Sequence, residues 1–273
     1  MMVGSFIVFS DYDGTIADEN TGMTHSARRA LRTLKKARIP LVIVSSKTFL
    51  ELQDIYRRLH MKGAFVFENG GGIAYPQKKG YDIEPLGISA EKLKELVPFL
   101  ESVAKSKIEI LADMEEARLC AYAGLSLCDA YHAKTRLFSM PFIFQKGRLD
   151  ENELSMIASL LEEKKLRLRW GGKFYHLIPL GAGKGDAVRR VCGYYEHLLS
   201  GYQAAAGIGN SENDFDMLDA VEHPFLVRNS NSGIDYNTVP YPVTEQYGGE
   251  GFYEAVEKII ALADDASRAD GNE

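Results

Sequence analysis

Hydrophobic residues form short continuous runs in the first part of the chain, separated by segments with helical spacing. The runs at 6–9, 41–44 and 64–67 are rich in β-branched and aromatic residues, which is typical of strands buried on both faces of a parallel sheet. Helices are predicted between them, over 26–37 and 51–59. Alternation of strand and helix indicates βαβ units, whose strand ends meet at one edge of the sheet.

The pattern changes after a turn-rich, basic connection at 75–80. Here helices and strands alternate without long buried runs, which indicates an α+β unit. Helices are predicted from Ser89 through Leu100 and over 126–138 and 151–162, with strands over 108–111, 142–144, 166–170 and 174–178.

Buried runs return near the end of the chain. A helix begins near Lys184, and a strand over 203–208 precedes a glycine and a polar loop. Further elements are predicted as a helix over 215–221, a strand over 225–227 and a helix over 252–263. The fold class is therefore α/β, with a Rossmann-like parallel-sheet core at 1–80 and 181–273 and an inserted α+β domain at 81–180.

Composition narrows the class of partner. The chain has 273 residues, with 32 basic and 38 acidic side chains and a net charge of −6, and no basic cluster. Nucleic acid and membrane surfaces are therefore not expected as partners. Three cysteines without a Cys-x-x-Cys spacing point to a reducing, cytoplasmic location, and no apolar run reaches the roughly 18 residues of a membrane helix. The oligomeric state is left open.

The first buried run ends in two acids separated by one residue. Asp11 and Asp13 are followed by Gly14, at the end of a strand where open α/β sheets bind ligands. Two carboxylates there can bind a divalent cation, or one can attack a phosphorus while the other transfers a proton. The alternative is an ordinary Asp-Gly turn.

Three further polar positions follow predicted core elements: Ser45, Lys184 and the loop from Asn210 to Asp214. Each alone is explained by a strand end, a surface lysine or turn residues. Together they supply the hydroxyl, the cation and the oxygen ligands that a transferred phosphoryl group requires. Their joint occurrence favours phosphoryl transfer.

These four segments resemble the four motifs of the haloacid dehalogenase superfamily of phosphotransferases, and the insertion resembles the α/β cap of its sugar phosphatases and phosphomannomutases. The resemblance implies that Asp11 is the nucleophile that forms an aspartyl-phosphate. It implies that Asp13 protonates the leaving alkoxide and later activates water, and that Ser45 and Lys184 hold the phosphoryl oxygens.

The resemblance also implies a Mg²⁺ ion bound by Asp11, the backbone carbonyl of Asp13 and the loop containing Asn210 and Asp214. One position departs from the pattern, because relatives commonly carry Asp where this chain has Asn210. An amide oxygen ligates Mg²⁺ without contributing charge. We therefore expect either weaker metal binding or a larger contribution of Asp214 to metal binding.

Shorter stretches at 44–48, 68–71, 123–142 and 170–176 are similar to those of mannosyl-3-phosphoglycerate phosphatases. That similarity implies hydrolysis of mannosyl- or another glycosyl-3-phosphoglycerate to the glycosylglycerate, a compatible solute, with the sugar left open. Residues expected to bind the rest of the substrate are Ser46, Lys47, Asn69, Gly70, Arg136, Lys173 and His176. Solvated Arg136 and Lys173, a packed core His176 and a simple turn at Gly70 are the alternatives.

Three other functions fit the same residues. One is a phosphatase of a hexose, sucrose or trehalose phosphate, and the second is a phosphomannomutase-like phosphotransferase. The third is a ligand-binding relative without catalysis, which the presence of Asp11, Asp13, Ser45 and Lys184 disfavours.

Overall fold

A computed structural model of the chain describes residues 6–18, 22–170, 173–199, 202 and 204–270. The strands are β1 (Phe6–Ser10), β2 (Leu41–Ile43), β3 (Phe65–Phe67), β4 (Gly72–Pro76), β5 (Tyr81–Pro85), β6 (Ile108–Ile110), β7 (Met140–Phe144), β8 (Leu166–Trp170), β9 (Tyr175–Pro179), β10 (Ala204–Gly209), β11 (His223–Arg228) and β12 (Val243–Tyr247). The helices are α1 (His25–Ala37), α2 (Phe49–Arg58), α3 (Ala90–Lys94), α4 (Val97–Ala104), α5 (Glu116–Ala123), α6 (Leu127–Lys134), α7 (Glu151–Glu162), α8 (Lys184–Glu196), α9 (Phe215–Leu218) and α10 (Gly248–Asp270).

Contacts divide the chain into two units. The first comprises Met1–Ser45, Gly63–Val66 and Lys184–Glu273, and the second comprises Ser46–Lys62 and Phe67–Gly183. The domain boundaries expected from the sequence, at 80/81 and 180/181, stay a prediction.

The first unit contains a five-stranded parallel sheet with the strand order β12-β11-β10-β1-β2. Strand β1 is buried at all five of its positions and β10 at all six, and the alanines and glycines of β10 pack between two neighbouring strands. Ser10 pairs with Ile208, so the chain leaves β1 and β10 at the same edge of the sheet. The predicted parallel core is confirmed, although Gln203, the predicted start of one strand, lies outside the described residues. The run at 64–67, predicted as a third strand of this core, forms β3 in a separate three-stranded sheet with β4 and β5, linked in parallel to Val44 through an isolated bridge at Val66.

The second unit contains a four-stranded antiparallel sheet with the order β6-β7-β9-β8. One hydrophobic cluster of this unit combines Phe142, Tyr175 and Leu177 of the sheet with residues of α3, α4 and α7. A second, smaller cluster contains Leu119, Phe174 and neighbouring residues of α5 and α6. The predicted α+β character of this part of the chain is confirmed.

Several element boundaries differ from the prediction. The helix expected from Ser89 through Leu100 is two helices, α3 and α4, and Pro98 stands at the start of the second, where a missing N–H is tolerated. The helix expected over 126–138 ends at Lys134, and α5 precedes it unanticipated. The connection at 75–80 belongs to an antiparallel hairpin of β4 and β5, closed by the Gln77 N–H on the Gly80 carbonyl.

Candidate functional site

The loop after β1 carries the first two candidate residues. Sheet pairing continues past the strand, because the Asp11 N–H donates to the Ile208 carbonyl at 2.9 Å. The chain then turns tightly, with the Gly14 N–H on the Ala17 carbonyl at 2.7 Å. Gly14 has φ +78°, and a Cβ there would lie 2.4 Å from the side-chain amide of Asn210. Glycine is therefore required both by the backbone angle and by the close approach of that amide.

Lys184 joins two carboxylates beside this loop. Its Nζ lies 2.7 Å from Asp11 Oδ1 and 2.7 Å from Asp214 Oδ1, and the lysine is only 2% exposed. Lys184 is the first residue of α8, where the helix dipole disfavours a cation. The two carboxylates therefore stabilise the buried ammonium against its local backbone environment.

Asp214 is engaged through both carboxylate oxygens. Oδ1 accepts from Lys184, while Oδ2 accepts from the Asn210 N–H at 2.9 Å and from the Ser211 N–H and Oγ at 3.0 Å each. A Cβ on Gly209 would lie 2.4 Å from the Asp214 Cβ, so only glycine permits this approach. The hydrogen bonds of Asp214 therefore orient Lys184 and the loop after β10.

Charges in this cluster shift each other's protonation. Burial raises the pKa of the Asp11 carboxyl to about 7, the Lys184 ammonium opposes that rise, and the carboxylates of Asp214 and Asp13 add to it. Burial lowers the pKa of Lys184, but Asp11 and Asp214 outweigh this effect, so the pKa of Lys184 is raised above its ordinary value. Lys184 is therefore charged at neutral pH, and added positive charge beside Asp11 would favour its carboxylate.

The side-chain amide of Asn210 lies among oxygen atoms. One terminal atom is 3.0 Å from Thr15 Oγ1, 3.3 Å from Asp11 Oδ2 and 3.2 Å from the Asp13 carbonyl oxygen. The other terminal atom is 2.6 Å from Asn229 Nδ2. Hydrogen bonding therefore places the Asn210 NH₂ group toward Asp11 and Asp13, and its oxygen toward Asn229.

Residues able to hold a divalent cation are those around this amide. Nowhere in the described part of the chain do three or more His, Cys, Asp or Glu side chains form a metal-binding cluster. A carboxylate, a backbone carbonyl and an amide do meet here, from Asp11, Asp13 and Asn210, and all three offer oxygen, the ligand that Mg²⁺ prefers. With the amide oxygen turned inward, the donor set fits Mg²⁺.

Ser45 follows β2, the neighbour of β1. It is fully buried, and its N–H donates to the Val66 carbonyl at 3.0 Å. The Val44 N–H donates to the Ser10 carbonyl at 2.8 Å, which aligns the ends of both strands. Ser45 therefore lies at the sheet edge from which Asp11 emerges.

The predicted substrate-binding residues all lie in the second unit. Lys47 Nζ is 3.9 Å from Glu51 Oε1, and Lys173 Nζ donates to the Ala123 carbonyl at 2.7 Å, which ties it to the end of α5. Asn69 is buried, with φ +59°. The complete set in this unit is Ser46, Lys47, Asn69, Gly70, Arg136, Lys173 and His176.

Arg136 and His176 are electrostatically coupled. Arg136 donates through Nε to the Ala133 carbonyl at 3.0 Å and through Nη1 to the Ser46 carbonyl at 2.8 Å and to Ser139 Oγ at 3.3 Å. His176 is buried, and its Nδ1 has no hydrogen-bond partner among the described residues. Burial lowers the pKa of His176 to about 3, and the charge of Arg136 contributes. The imidazole is therefore neutral near pH 7.

Glu68 organises the loop that carries Arg136. It is buried, and its carboxylate accepts the N–H groups of Leu137 at 2.8 Å and Phe138 at 2.9 Å and the Ser139 hydroxyl at 2.6 Å. Because these N–H groups are bonded to Glu68, the helix predicted over 126–138 does not continue to residue 138. The structural role of Glu68 was not predicted from the sequence, and neither were the contacts of Thr15 and Asn229 with Asn210. A charged residue directly after a buried strand was the available signal for Glu68.

The first unit thus combines a parallel-sheet edge, a buried lysine between two aspartates and an amide facing three oxygens. Residues 8–121 and 129–238 match the haloacid dehalogenase-like hydrolase family. The chain belongs to this family and is a hydrolase, which confirms the family resemblance seen in the motifs.

Two curated relatives extend over nearly the whole chain. A protein of Persephonella marina is 31% identical, with 93% of this chain and 97% of the relative covered, and is named glucosyl-3-phosphoglycerate/mannosyl-3-phosphoglycerate phosphatase. A protein of Methanococcoides burtonii with the same name is 28% identical at the same coverage. A solved haloacid dehalogenase-like hydrolase from B. subtilis has a TM-score of 0.63 at 17% identity, covering 91% of this chain and 97% of the other, and shows the fold. No helix within the described ranges is long and apolar enough to cross a membrane.

Proposed function

We propose that the chain is a Mg²⁺-dependent phosphomonoester hydrolase that converts mannosyl- or glucosyl-3-phosphoglycerate to the glycosylglycerate and phosphate. The observation that carries the proposal is the buried Lys184 held 2.7 Å from both Asp11 and Asp214 at the edge of the parallel sheet. The names of the two full-length relatives support the substrate.

In the proposed reaction, a carboxylate oxygen of Asp11 attacks the phosphorus and forms an aspartyl-phosphate. The bond between phosphorus and the ester oxygen breaks, and Asp13 gives its proton to the leaving alkoxide. Asp13 then takes a proton from a water molecule that attacks the same phosphorus, which releases phosphate and restores Asp11.

Lys184 and Ser45 have binding roles in this scheme. Lys184 is charged at neutral pH because its pKa is raised, so it can hold a phosphoryl oxygen as charge builds up. The buried Ser45 hydroxyl at the neighbouring strand end is a second donor. Because Asp11 must be ionised to attack, Lys184 also favours the reactive form of the nucleophile by opposing the rise of its pKa.

The proposed Mg²⁺ ligands are Asp11, the Asp13 carbonyl and the amide oxygen of Asn210. When bound, the ion would neutralise the charge of the phosphate and of Asp11. We assign Asp214 an indirect part in the metal site, because both of its oxygens are bonded to Lys184 and to the loop after β10.

We propose that residues 81–180 act as a substrate-selecting cap on a catalytic core formed by 1–80 and 181–273. Arg136 is the proposed partner of the glycerate carboxylate, because a guanidinium group binds carboxylates well. Among the described residues, Arg136 forms hydrogen bonds to carbonyl and hydroxyl oxygens but no ion pair. His176 is neutral and offers a hydrogen bond to a sugar or glycerate hydroxyl. The other residues that we propose to bind the substrate are Ser46, Lys47, Asn69, Gly70 and Lys173.

We also place the enzyme in the cytoplasm, acting on a small phosphorylated molecule. Cys120, Cys128 and Cys192 are all free, which supports a reducing compartment.

The test is phosphate release from mannosyl- and glucosyl-3-phosphoglycerate, hexose phosphates, sucrose phosphate, trehalose phosphate and 3-phosphoglycerate, with Mg²⁺ or with EDTA. We expect the two glycosyl-3-phosphoglycerates to be turned over fastest, and only with Mg²⁺. Faster turnover of a simple hexose phosphate would contradict the substrate assignment. Conversion of hexose 1-phosphate to 6-phosphate with little free phosphate would instead indicate a mutase, and no turnover of any compound a binding protein.

A further inference from the structure

Behind the proposed cation position lies a row of amide groups. The side chain of Asn210 contacts that of Asn229, and Asn229 in turn accepts the N–H of Asn231. We call the side chains of Asn210 and Asn229 and the N–H of Asn231 the amide relay. All of it belongs to the first unit.

Hydrogen bonds fix the direction of the amide relay. The Asn231 N–H donates to Asn229 Oδ1 at 2.9 Å, so the other end of the Asn229 side chain is its NH₂ group. That NH₂ group lies 2.6 Å from the Asn210 side chain, which must present its oxygen to it. The NH₂ group of Asn210 is thereby turned toward Asp11 Oδ2 at 3.3 Å and the Asp13 carbonyl at 3.2 Å.

Asn229 has little freedom to adapt. Its N–H donates to Tyr236 Oη at 2.7 Å, and its carbonyl accepts from Tyr236 Oη at 3.0 Å and from Ser232 Oγ at 2.9 Å. A Cβ on Gly14 would lie 2.9 Å from Asn229 Nδ2, so the amide also packs closely against the loop after β1. The backbone of Asn229 is therefore held from both sides.

A cation requires oxygen where Asn210 now presents hydrogen. Turning the Asn210 amide brings its NH₂ group against that of Asn229, and turning Asn229 as well brings its NH₂ group against the Asn231 N–H. Either way, two donors face each other. We propose that Asn229 is a positioning residue that holds Asn210 in the orientation opposed to Mg²⁺, so that metal binding must break the amide relay.

This inference rests on the proposed function, because Mg²⁺ is the cation of that reaction. Its consequence is that Asn210 weakens Mg²⁺ binding through its orientation as well as through its missing charge. A carboxylate at position 210 has no wrong orientation, since one oxygen accepts from Asn229 and the other faces the cation.

The test is Mg²⁺ titration by calorimetry, without substrate, of the wild type, Asn229→Asp, Asn210→Asp and the double variant. In the wild-type background, a carboxylate at 229 accepts both the Asn210 NH₂ group and the Asn231 N–H, so the amide oxygen can face the cation. We expect Mg²⁺ affinity to rise about tenfold or more, the equivalent of one relieved donor conflict.

In the Asn210→Asp background, the same substitution places two carboxylates about 2.6 Å apart. There we expect no rise, or a fall, in Mg²⁺ affinity. A simple effect of added negative charge would raise affinity in both backgrounds, and that result would overturn the proposal. A fall of affinity in the wild-type background would overturn it as well.

Asn229→Leu provides a neutral check, useful also if the charged variant does not fold. It removes the opposing donor, and we expect Mg²⁺ affinity to rise about threefold or more. A fall would show that Asn229 supports metal binding, contrary to the proposal. If the wild type releases phosphate with Mg²⁺ but none of the variants shows the expected change in Mg²⁺ affinity, the amide relay alone is overturned. If the wild type neither binds Mg²⁺ nor releases phosphate, the proposed function is overturned too.

Discussion

Lys184 provides the sharpest test of how the buried charge cluster is held. The Lys184→Met variant keeps the length of the side chain and removes the ammonium, which leaves Asp11 and Asp214 buried without their shared cation. Removing one partner of a buried ion pair lowers the free energy of unfolding by about 3–5 kcal/mol. With two contacts of 2.7 Å and 2% exposure of Lys184, we expect a value in this range at pH 8.

The matched control is Lys258→Met. Lys258 Nζ lies 2.8 Å from Glu254 Oε1, nearly the same distance, but on the surface of α10 with 48% of the lysine side chain exposed. An exposed helical pair of this kind contributes about 0.3–0.5 kcal/mol. The comparison therefore contrasts a buried lysine that contacts two carboxylates with an exposed lysine that contacts one.

The pH dependence has a defined sign. The Lys184 ammonium lowers the pKa of Asp11 in the wild type, so its removal raises that pKa further above about 7. The folded variant then binds more protons than the folded wild type, and its deficit in stability shrinks as pH falls, by up to about 1.4 kcal/mol per pH unit per extra proton.

The assay is urea unfolding followed by circular dichroism in EDTA from pH 8 to 6, because the single tryptophan, Trp170, reports only on the second unit. Equal losses for the Lys184 and Lys258 variants, or a deficit that grows as pH falls, would refute the reasoning.

Three further predictions concern His176, Glu68 and Gly14. Because His176 is neutral in the fold, with its pKa lowered from 6.5 to about 3, the wild type should lose about 2 kcal/mol of unfolding free energy between pH 7 and pH 5. The His176→Leu variant should lose about 2 kcal/mol less over the same interval in urea titrations. Equal pH slopes for the two proteins would contradict this. Glu68→Gln should lower the free energy of unfolding by about 2–3 kcal/mol, because a carboxylate with three donors is replaced, and a variant as stable as wild type would count against it. Gly14→Ala should weaken Mg²⁺ binding measured by calorimetry, whereas Gly22→Ala, with φ +75° but open space around it, should cost about 1–2 kcal/mol in stability without affecting Mg²⁺; equal affinities would show that crowding at Gly14 is unimportant.

The core of the fold was predictable because its strands are buried on both faces. Strands β1 and β10 read as continuous runs of apolar or small residues, and each polar residue after them lies at the same sheet edge. The positions of Asp11 and Asp214 follow from this rule. Lys184, the first residue of α8, lies between them because a buried lysine needs carboxylates within reach. In this part of the molecule, the local hydrophobic pattern and the chemistry of the polar residues predict the same arrangement.

Long-range contacts explain the features that were not predicted from the sequence. The hairpin of β4 and β5 is half exposed and contains Pro76 and Gly80, so its local pattern resembles a loop. Helix α6 ends early because Glu68, distant in sequence, takes the N–H groups beyond it. Asn229 stands among polar turn residues, and only the folded chain brings its amide to Asn210.

The most direct test of the central claim is the rate of phosphate release from mannosyl-3-phosphoglycerate by the Asp11→Asn variant with Mg²⁺. The amide has nearly the same shape as the carboxylate but is a far weaker nucleophile. We predict that the rate falls by about three or more orders of magnitude while the circular dichroism spectrum is unchanged. A rate close to that of the wild type would contradict the assignment of Asp11 as the nucleophile, and with it the proposed mechanism.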